Sequence, residues 1–290
     1  MPELPEVEVV RAGLEPAVTG ATVAGVTVFD ERSLKRHGAP AVDFVGRLVG
    51  RRMAKPLRRG KFLWVPLDDG EALMVHLGMS GQVLLRDPAA DLDRLTRISI
   101  GIEHPEHGAL RVDFVDQRIF GSMAIDELVD AQDVPGDQIP SQVTHIARDP
   151  MDPNFDDALF FSRLARRNTG IKRALLDQTL ISGIGNIYAD EALWASRVHY
   201  DQPTASLTRP RAKTLLAEVR LVLGRALADG GTSFDAQYLN VNGESGYFSH
   251  SLNAYGQQGE PCPRCGRPIV REQFMNRGSH FCPYCQRVRQ

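Results

Sequence analysis

Every cysteine of this chain lies near its C-terminus, as Cys262-Pro-Arg-Cys265 and Cys282-Pro-Tyr-Cys285. Two C-x-x-C pairs at this separation supply the four thiolates of a tetrahedral zinc site, each pair gripping the metal from one tight turn. The stretch between the pairs is long enough for a hairpin. Two disulfides are the competing reading. They belong to short secreted chains, and a 290-residue chain opening on an acidic, proline-broken segment fits neither description. A structural Zn²⁺ in a reducing compartment is therefore expected.

The other end carries a different chemistry. In Met1-Pro2-Glu3-Leu4-Pro5-Glu6 a small residue follows the methionine, the pattern that normally leads to its removal. Pro2 would then present a secondary amine. A helix beginning just behind it points its positive end at that amine and favours the uncharged form. Such an amine can attack a carbonyl-like carbon and form a Schiff base, with Glu3 and Glu6 at hand to move protons. From composition alone, proline and glutamate are also simply good helix-start residues. A third candidate is Gly183-Ile184-Gly185-Asn186. Glycines let backbone amides approach a ligand, Asn186 can cap the following helix, and the helix dipole favours an anion there. A lone G-x-G is often only a turn, but Arg166, Arg167, Lys172 and Arg173 just upstream favour a phosphate-gripping element.

These groups need elements to hold them. Residues 5–18 read as a helix, with Pro5 in its first turn and Val7, Val10, Leu14 and Val18 as an apolar stripe. From 22 to about 125 the pattern is one of short strands. Leu73–Leu77 and Val83–Leu85 flank a Gly-Met-Ser-Gly turn, and Arg97–Ile102 and Ala109–Val115 flank His104-Pro105-Glu106-His107-Gly108. Strands with turns at this interval predict a β-sandwich. Residues 132–155, rich in Pro, Asp and Gln, read as a linker. Helical patterns follow over Asp156–Arg167, Lys172–Leu180, Asn186 to about Ser196, and Thr208–Ala228, the last stopped by Gly230-Gly231. The fold class is α+β: an N-terminal sandwich over 1–131, a helical domain over 156–252 and a Cys₄ hairpin over 253–290.

With 42% hydrophobic residues the chain can bury substantial cores, and no apolar run reaches the length of a membrane span. The net charge of −2 hides a split. Residues 1–150 carry 17 Lys/Arg against 23 Asp/Glu; residues 151–290 carry 17 against 13. Within the acidic half, Arg47, Arg51, Arg52, Lys55, Arg58, Arg59 and Lys61 form an acid-free basic run. Such a run reads equally as a solvated face or as phosphate-binding surface. Clustered cations rather than net charge govern phosphate binding, so nucleic acid is not excluded.

Met1-Pro2-Glu3-Leu4-Pro5-Glu6-Val7-Glu8, His76-Leu77-Gly78-Met79-Ser80-Gly81, Ser182-Gly183-Ile184-Gly185-Asn186-Ile187-Tyr188-Ala189 and the Cys₄ ribbon together resemble the formamidopyrimidine-DNA glycosylase family, from the first residue to the last. The resemblance implies a bifunctional DNA glycosylase and abasic-site lyase that removes oxidised purines from duplex DNA. It implies Pro2 as the Schiff-base nucleophile and Glu3 as acid and base. Lys61 would support β-elimination, and Arg277 would grip the phosphates flanking the lesion and assist the second elimination. Arg167, Lys172 and Asn186 would bind phosphates, and Thr232–Phe248 would fold over the flipped base. Because a damaged base must leave the stack to be reached, Met79 is expected to fill the gap, Arg118 to bond the orphaned base and Phe120 to wedge the step. The resemblance further implies one structural zinc, a monomer, and a cytoplasmic, nucleoid-associated location. Two positions depart from the family pattern. Ile119 stands where an arginine is common in Asp116-Gln117-Arg118-Ile119-Phe120-Gly121, and Leu95 where a histidine is common; Arg94 and Arg97 are available to compensate. Alternatives are the endonuclease VIII branch, which prefers oxidised pyrimidines, and a non-catalytic zinc-ribbon binder of damaged DNA. Leu4, Met79 and Phe120 favour the purine branch, and a pure binder would not need Pro2, Glu3 and Lys61 together.

Overall fold

The structure is a computed structural model and describes residues 2–231, 241–242 and 251–289. The chain divides into two compact units, residues 1–145 with 230–247, and residues 146–229 with 248–290.

The first unit opens with α1 (Leu4–Val18), as the apolar stripe predicts, and buries Leu4, Val7, Val10, Leu14 and Val18. Strand β1 (Thr22–Val28) and helix α2 (Ala41–Leu48) follow, then β2 (Leu57–Arg59), β3 (Phe62–Pro66), β4 (Glu71–His76), β5 (Gly81–Arg86), β6 (Thr96–His104), β7 (Gly108–Asp116), β8 (Ser122–Asp130) and β9 (Gln138–Pro140). They form two antiparallel sheets, ordered β1-β6-β7-β5 and β2-β3-β4-β8-β9. Alternate residues share a strand face. Ile98, Ile100 and Ile102 of one sheet thus join Leu63, Val65, Leu73, Val75, Met123 and Ile125 of the other, with the stripe of α1, in a single core. This is the predicted sandwich.

The segment 132–155, expected as a linker, begins inside this unit. β9 pairs with β8, and Ile139 and Val143 are buried. Hydrogen bonding and burial outweigh a turn-rich composition there. A return segment also belongs to the first unit rather than to the helical region that the sequence suggested. Val241 is buried in the sandwich core, and its carbonyl accepts the Leu85 N–H at 2.9 Å. Gly13 makes room for it, since a Cβ there would sit 2.5 Å from Val241 Cγ2.

The connections β4–β5 and β7–β8 matter most for the site. Neither is a hairpin, because each crosses from one sheet to the other. Gly81 pairs with Asp116 and His76 with Ser122, so the two crossings leave and arrive side by side.

The second unit contains α3 (Asp157–Ala165), α4 (Ile171–Leu175), α5 (Asn186–Ala195) and α6 (Arg209–Ala228), followed by the hairpin β10 (Val270–Phe274) and β11 (Arg277–Phe281). Asp156 caps α3 by accepting the Leu159 N–H at 2.9 Å. Helix α4 is shorter than the Lys172–Leu180 pattern predicts. The Asp177 carboxylate takes both the N–H and the hydroxyl of Thr179, an alternative to continued helix. No helix among the described residues is long and apolar enough to cross a membrane.

Candidate functional site

In the first unit, Pro2 and Glu3 precede α1 and both are buried, Glu3 with 3% exposure. Glu3 is the N-cap, and its N–H donates to Glu6 Oε2 at 2.8 Å in a capping box. The sequence thus sets Pro2 just ahead of the helix's positive end, with two carboxylates on the first turn. Gly231, at φ +84°, lies against Glu6; a Cβ there would stand 3.0 Å from Glu6 Oε1.

Lys61 is buried on the two-residue turn Gly60-Lys61 between β2 and β3, where Gly60 adopts φ +58°. A glycine at the first position of such a turn relieves the strain of a positive φ. Arg58 of β2 pairs with Glu8 of α1 at 2.9 Å, so the strand carrying this turn is anchored to the helix that begins at Glu3. His76 was not singled out from the sequence as a site residue, although its motif was. Its imidazole lies 4.9 Å from the Phe62 ring, and Arg36 sits over the same ring at 5.4 Å. Burial, then the charges of Arg36, Lys35 and Lys61, lower its pKa to about 4, so it is neutral at neutral pH.

Most of the basic run is paired with acids of the same unit, Arg58 and Arg59 in largely buried positions and the others at the surface. Arg47 pairs with Glu71, Arg51 with Asp69 at 2.9 Å, Lys55 with Glu15 at 2.8 Å, and Arg59 with Asp133 at 3.5 Å. The acids come from β4, from α1 and from the connections at Asp69 and Asp133, so a sequence-local count could not find them. These pairs balance the run's charge within an acidic unit, and they tie down the largely buried Arg58 and Arg59 more firmly than the more exposed Arg51 and Lys55.

Met79, Arg118 and Phe120 lie on the two sheet crossings. Met79 and Phe120 are exposed. A Cβ on Gly78 would fall 2.5 Å from Gly121 N and closer to the Phe120 carbonyl, so the two loops pack backbone to backbone. Buried Asp116 holds them together. It accepts the Ser80 hydroxyl at 2.5 Å and the N–H groups of Arg118, Ile119 and Gly121 at 3.1, 3.0 and 2.7 Å. The Arg118 guanidinium stacks over the Phe120 ring at 4.8 Å. Arg97 is used internally, donating to the Asp116 carbonyl at 2.8 Å.

In the second unit the N-cap of α5 is Gly185, and Asn186 is the first helical residue rather than the cap. Its Nδ2 instead donates to the Gly278 carbonyl at 3.1 Å. Lys172 corrects the sequence reading more sharply. It has 0% exposure, pairs with equally buried Asp190 at 2.6 Å, and donates to Gly278 O at 3.3 Å. A fully buried ammonium cannot reach a DNA phosphate. Asp190 also accepts the Ser279 hydroxyl and the His280 N–H, at 3.0 and 2.9 Å. Lys172, Asp190 and Asn186 therefore hold β11 beside Arg277. Arg277 itself is exposed, in an open recess of about 400 Å³ that Arg271, Gln273 and Asn276 also line. Arg167 is partly exposed and pairs with Asp177 at 2.8 Å. The Thr232–Phe248 loop lies outside the described residues except for Val241 and Asn242.

The four cysteine sulfurs lie within 4.8 Å of one another and form no disulfide. Thiolates about 2.3 Å from zinc stand roughly 3.8 Å apart in a tetrahedron, so the set fits the ion. Trp194 Nε1 donates to Cys262 Sγ at 3.4 Å, an outer-shell bond to a ligand. Cys262, Cys265, Cys282 and Cys285 are thus positioned to bind one structural zinc.

A two-sheet sandwich with a buried N-terminal Pro-Glu pair, a helical unit and a Cys₄ hairpin define a class shared with known proteins. The family model of the formamidopyrimidine-DNA glycosylase N-terminal domain matches residues 1–123, that of its H2TH domain residues 146–237, and a zinc finger found in FPG and IleRS residues 259–288. The chain is 67% identical to the formamidopyrimidine-DNA glycosylase of Leifsonia xyli over 99% of its length and 100% of the relative's. It is 54% identical to that of Thermobifida fusca, over 99% of this chain and 97% of the relative. Among solved structures, the MutM (Fpg) protein of Thermus thermophilus superposes with a TM-score of 0.82 at 35% identity, covering 98% of both chains. Lactococcus lactis Fpg in complex with an abasic-site DNA gives 0.83 at 29%, covering 98% of this chain and 99% of that one. The chain belongs to the formamidopyrimidine-DNA glycosylase family.

Proposed function

We propose that this protein is a bifunctional DNA glycosylase and abasic-site lyase that excises oxidised purines, 8-oxoguanine and formamidopyrimidines, from damaged duplex DNA. The observation that carries the proposal is the buried Pro2–Glu3 pair at the positive end of α1, in a chain 67% identical to a named formamidopyrimidine-DNA glycosylase. With Met1 removed, the Pro2 nitrogen attacks C1′ of the extruded nucleotide. The N–C1′ bond to proline forms as the glycosidic bond breaks, and the base leaves with a proton. Opening of the sugar, with its ring oxygen taking a proton, gives a Schiff base at Pro2 that is an iminium ion, since proline is a secondary amine. Glu3 moves protons at the sugar and the base. Loss of a 2′ proton with departure of the 3′ phosphate is β-elimination, which Lys61 assists. A second elimination releases the 5′ phosphate, with Arg277 on the flanking phosphates. Water then hydrolyses the Schiff base and frees the amine.

Met79, Arg118 and Phe120 occupy the gap left by the flipped base. Arg167 and Asn186 contact phosphates; Lys172 is assigned no such contact. Cys262, Cys265, Cys282 and Cys285 would hold a zinc whose contribution is to fold the ribbon that carries Arg277. The protein acts as a monomer on cytoplasmic, nucleoid-associated DNA, through a sandwich, a helical domain and a zinc ribbon.

Borohydride tests the nucleophile. It reduces a Schiff base to a stable amine, so incubation with an 8-oxoguanine duplex and borohydride should cross-link protein to DNA, with the adduct mapping to residue 2. An adduct at Lys61 would overturn the role of Pro2. Faster excision of thymine glycol than of 8-oxoguanine would overturn the purine assignment.

A further inference from the structure

Lys35 stands outside every motif that the sequence singled out, yet it touches the wedge directly. Its Nζ donates to the carbonyl of Ile119 at 3.0 Å and to that of Phe120 at 2.9 Å. Both acceptors belong to the β7–β8 crossing that carries Arg118 and Phe120. The peptide between them is the one that most needs holding. Ile119 adopts φ +55°, a left-handed conformation that is costly for a β-branched residue and persists only where its surroundings enforce it. Asp116 secures the N–H groups of the loop from below, as described above. Lys35 secures two of its carbonyls from another segment of the chain.

That segment is itself fixed. Leu34 is buried in the sandwich core, and His37 Nδ1 accepts the Ile125 N–H of β8 at 3.2 Å. The lysine is thus an exposed side chain on an anchored backbone, reaching two adjacent carbonyls of a strained loop tip.

We propose that Lys35 is a positioning residue that locks the Arg118–Phe120 loop in the conformation needed to wedge the base step. The inference rests on the wedge reading of Arg118 and Phe120 given above. A different role is equally concrete in chemistry. Lys35 adds its charge to those of Arg36 and Lys61 near His76, and such a cation could instead grip a DNA phosphate. The carbonyl pair favours the clamp, because an ammonium already sharing its protons with two backbone oxygens has less to offer a phosphate.

The test uses the full-length, zinc-loaded protein with Lys35→Met, Lys35→Arg and, as a reference, Phe120→Ala. Each is assayed on a duplex containing 8-oxoguanine opposite cytosine and on one with a ready-made abasic site, and binding is measured across a salt series. The clamp requires Lys35→Met to slow excision of the paired lesion by roughly 10–100-fold, the range for losing a charged hydrogen-bond donor. Nicking of the abasic site should change less than about threefold, since no damaged base has to be extruded. Lys35→Arg, which keeps charge and donors, should recover much of the loss. The log–log salt slope should stay unchanged, whereas a lost phosphate contact would flatten it by about one unit. Retained nicking also certifies that the variant is folded. If Lys35→Met depresses both substrates equally and flattens the slope, Lys35 is a phosphate ligand and the clamp is overturned. If Phe120→Ala separates the two substrates and Lys35→Met does not, the clamp is wrong while the wedge stands. If Phe120→Ala fails to separate them, the wedge reading itself falls and the clamp with it.

Discussion

Replacing Lys172 by methionine is the perturbation that best separates what this lysine does from what its sequence context suggests. The ammonium has 0% exposure, lies 2.6 Å from an equally buried Asp190 carboxylate, and donates to Gly278 O at 3.3 Å. Methionine fills similar volume but leaves Asp190 charged and enclosed. Removing one partner of a buried ion pair costs about 3–5 kcal/mol, because the other charge loses its compensation. Asp190 keeps the Ser279 hydroxyl and the His280 N–H, which favours the lower end, about 3 kcal/mol. For a unit of this size such a loss lowers the melting temperature by roughly 10 °C. The assay pairs thermal unfolding with DNA binding across a salt series. We expect the melting shift, weaker binding through a loosened β11 and Arg277, and an unchanged salt slope. The double variant Lys172→Met/Asp190→Asn should recover more than half of the lost stability, since it removes the orphaned charge. A loss below about 1 kcal/mol together with a slope flattened by about one unit would refute this reasoning and make Lys172 a phosphate contact.

Three further predictions follow from the same geometry. Zinc removal by a chelator, or Cys282→Ala, should collapse the hairpin and weaken DNA binding while the sandwich stays folded. Among the described residues, the apolar cluster around the cysteines is small, Cys262, Ile269 and Cys282 with Trp194 and Cys285 against it, so metal binding should supply much of the ribbon's folding energy; unchanged circular dichroism and unaltered DNA affinity after metal loss would contradict this. Gly78→Ala, at φ +65° with its Cβ driven into the backbone of Phe120 and Gly121, should destabilise the first unit by about 2–4 kcal/mol, measured by urea unfolding. His76 has a pKa of about 4 in the folded protein against ~6.5 unfolded, so as pH falls from about 6.5 to 4 the unfolded chain takes up a proton that the native state refuses. Stability should therefore drop over that window by about 3 kcal/mol more than in His76→Gln; parallel pH profiles for the two proteins would contradict it.

The sequence by itself determined the features whose chemistry is local. Zinc ligation needs two tight C-x-x-C turns, and both are written in consecutive residues. A helix start needs a cap, a proline and an acidic first turn, and Glu3, Pro5 and Glu6 supply them within one turn. Short strands such as Arg97–Ile102 and Ala109–Val115, separated by turns about every ten residues, made the sandwich legible in the sequence. The four motifs carried the family for the same reason, as each is a short run with its own backbone requirement.

Tertiary structure decided whatever depends on partners far along the chain. Lys172 looks like its basic neighbours Arg166, Arg167 and Arg173, and only the folded unit encloses it against Asp190 and Gly278. The basic run between Arg47 and Lys61 reads equally as a solvated face or a phosphate surface, and only the fold pairs it with Glu8, Glu15, Asp69, Glu71 and Asp133. Asn186 reads as a cap, but the hairpin brings the Gly278 carbonyl within its reach. Lys35 carries no local signal at all, because its significance lies in two carbonyls on a distant loop. Electrostatic and hydrogen-bond partnership depends on distance in space, and a one-dimensional pattern contains only separation along the chain.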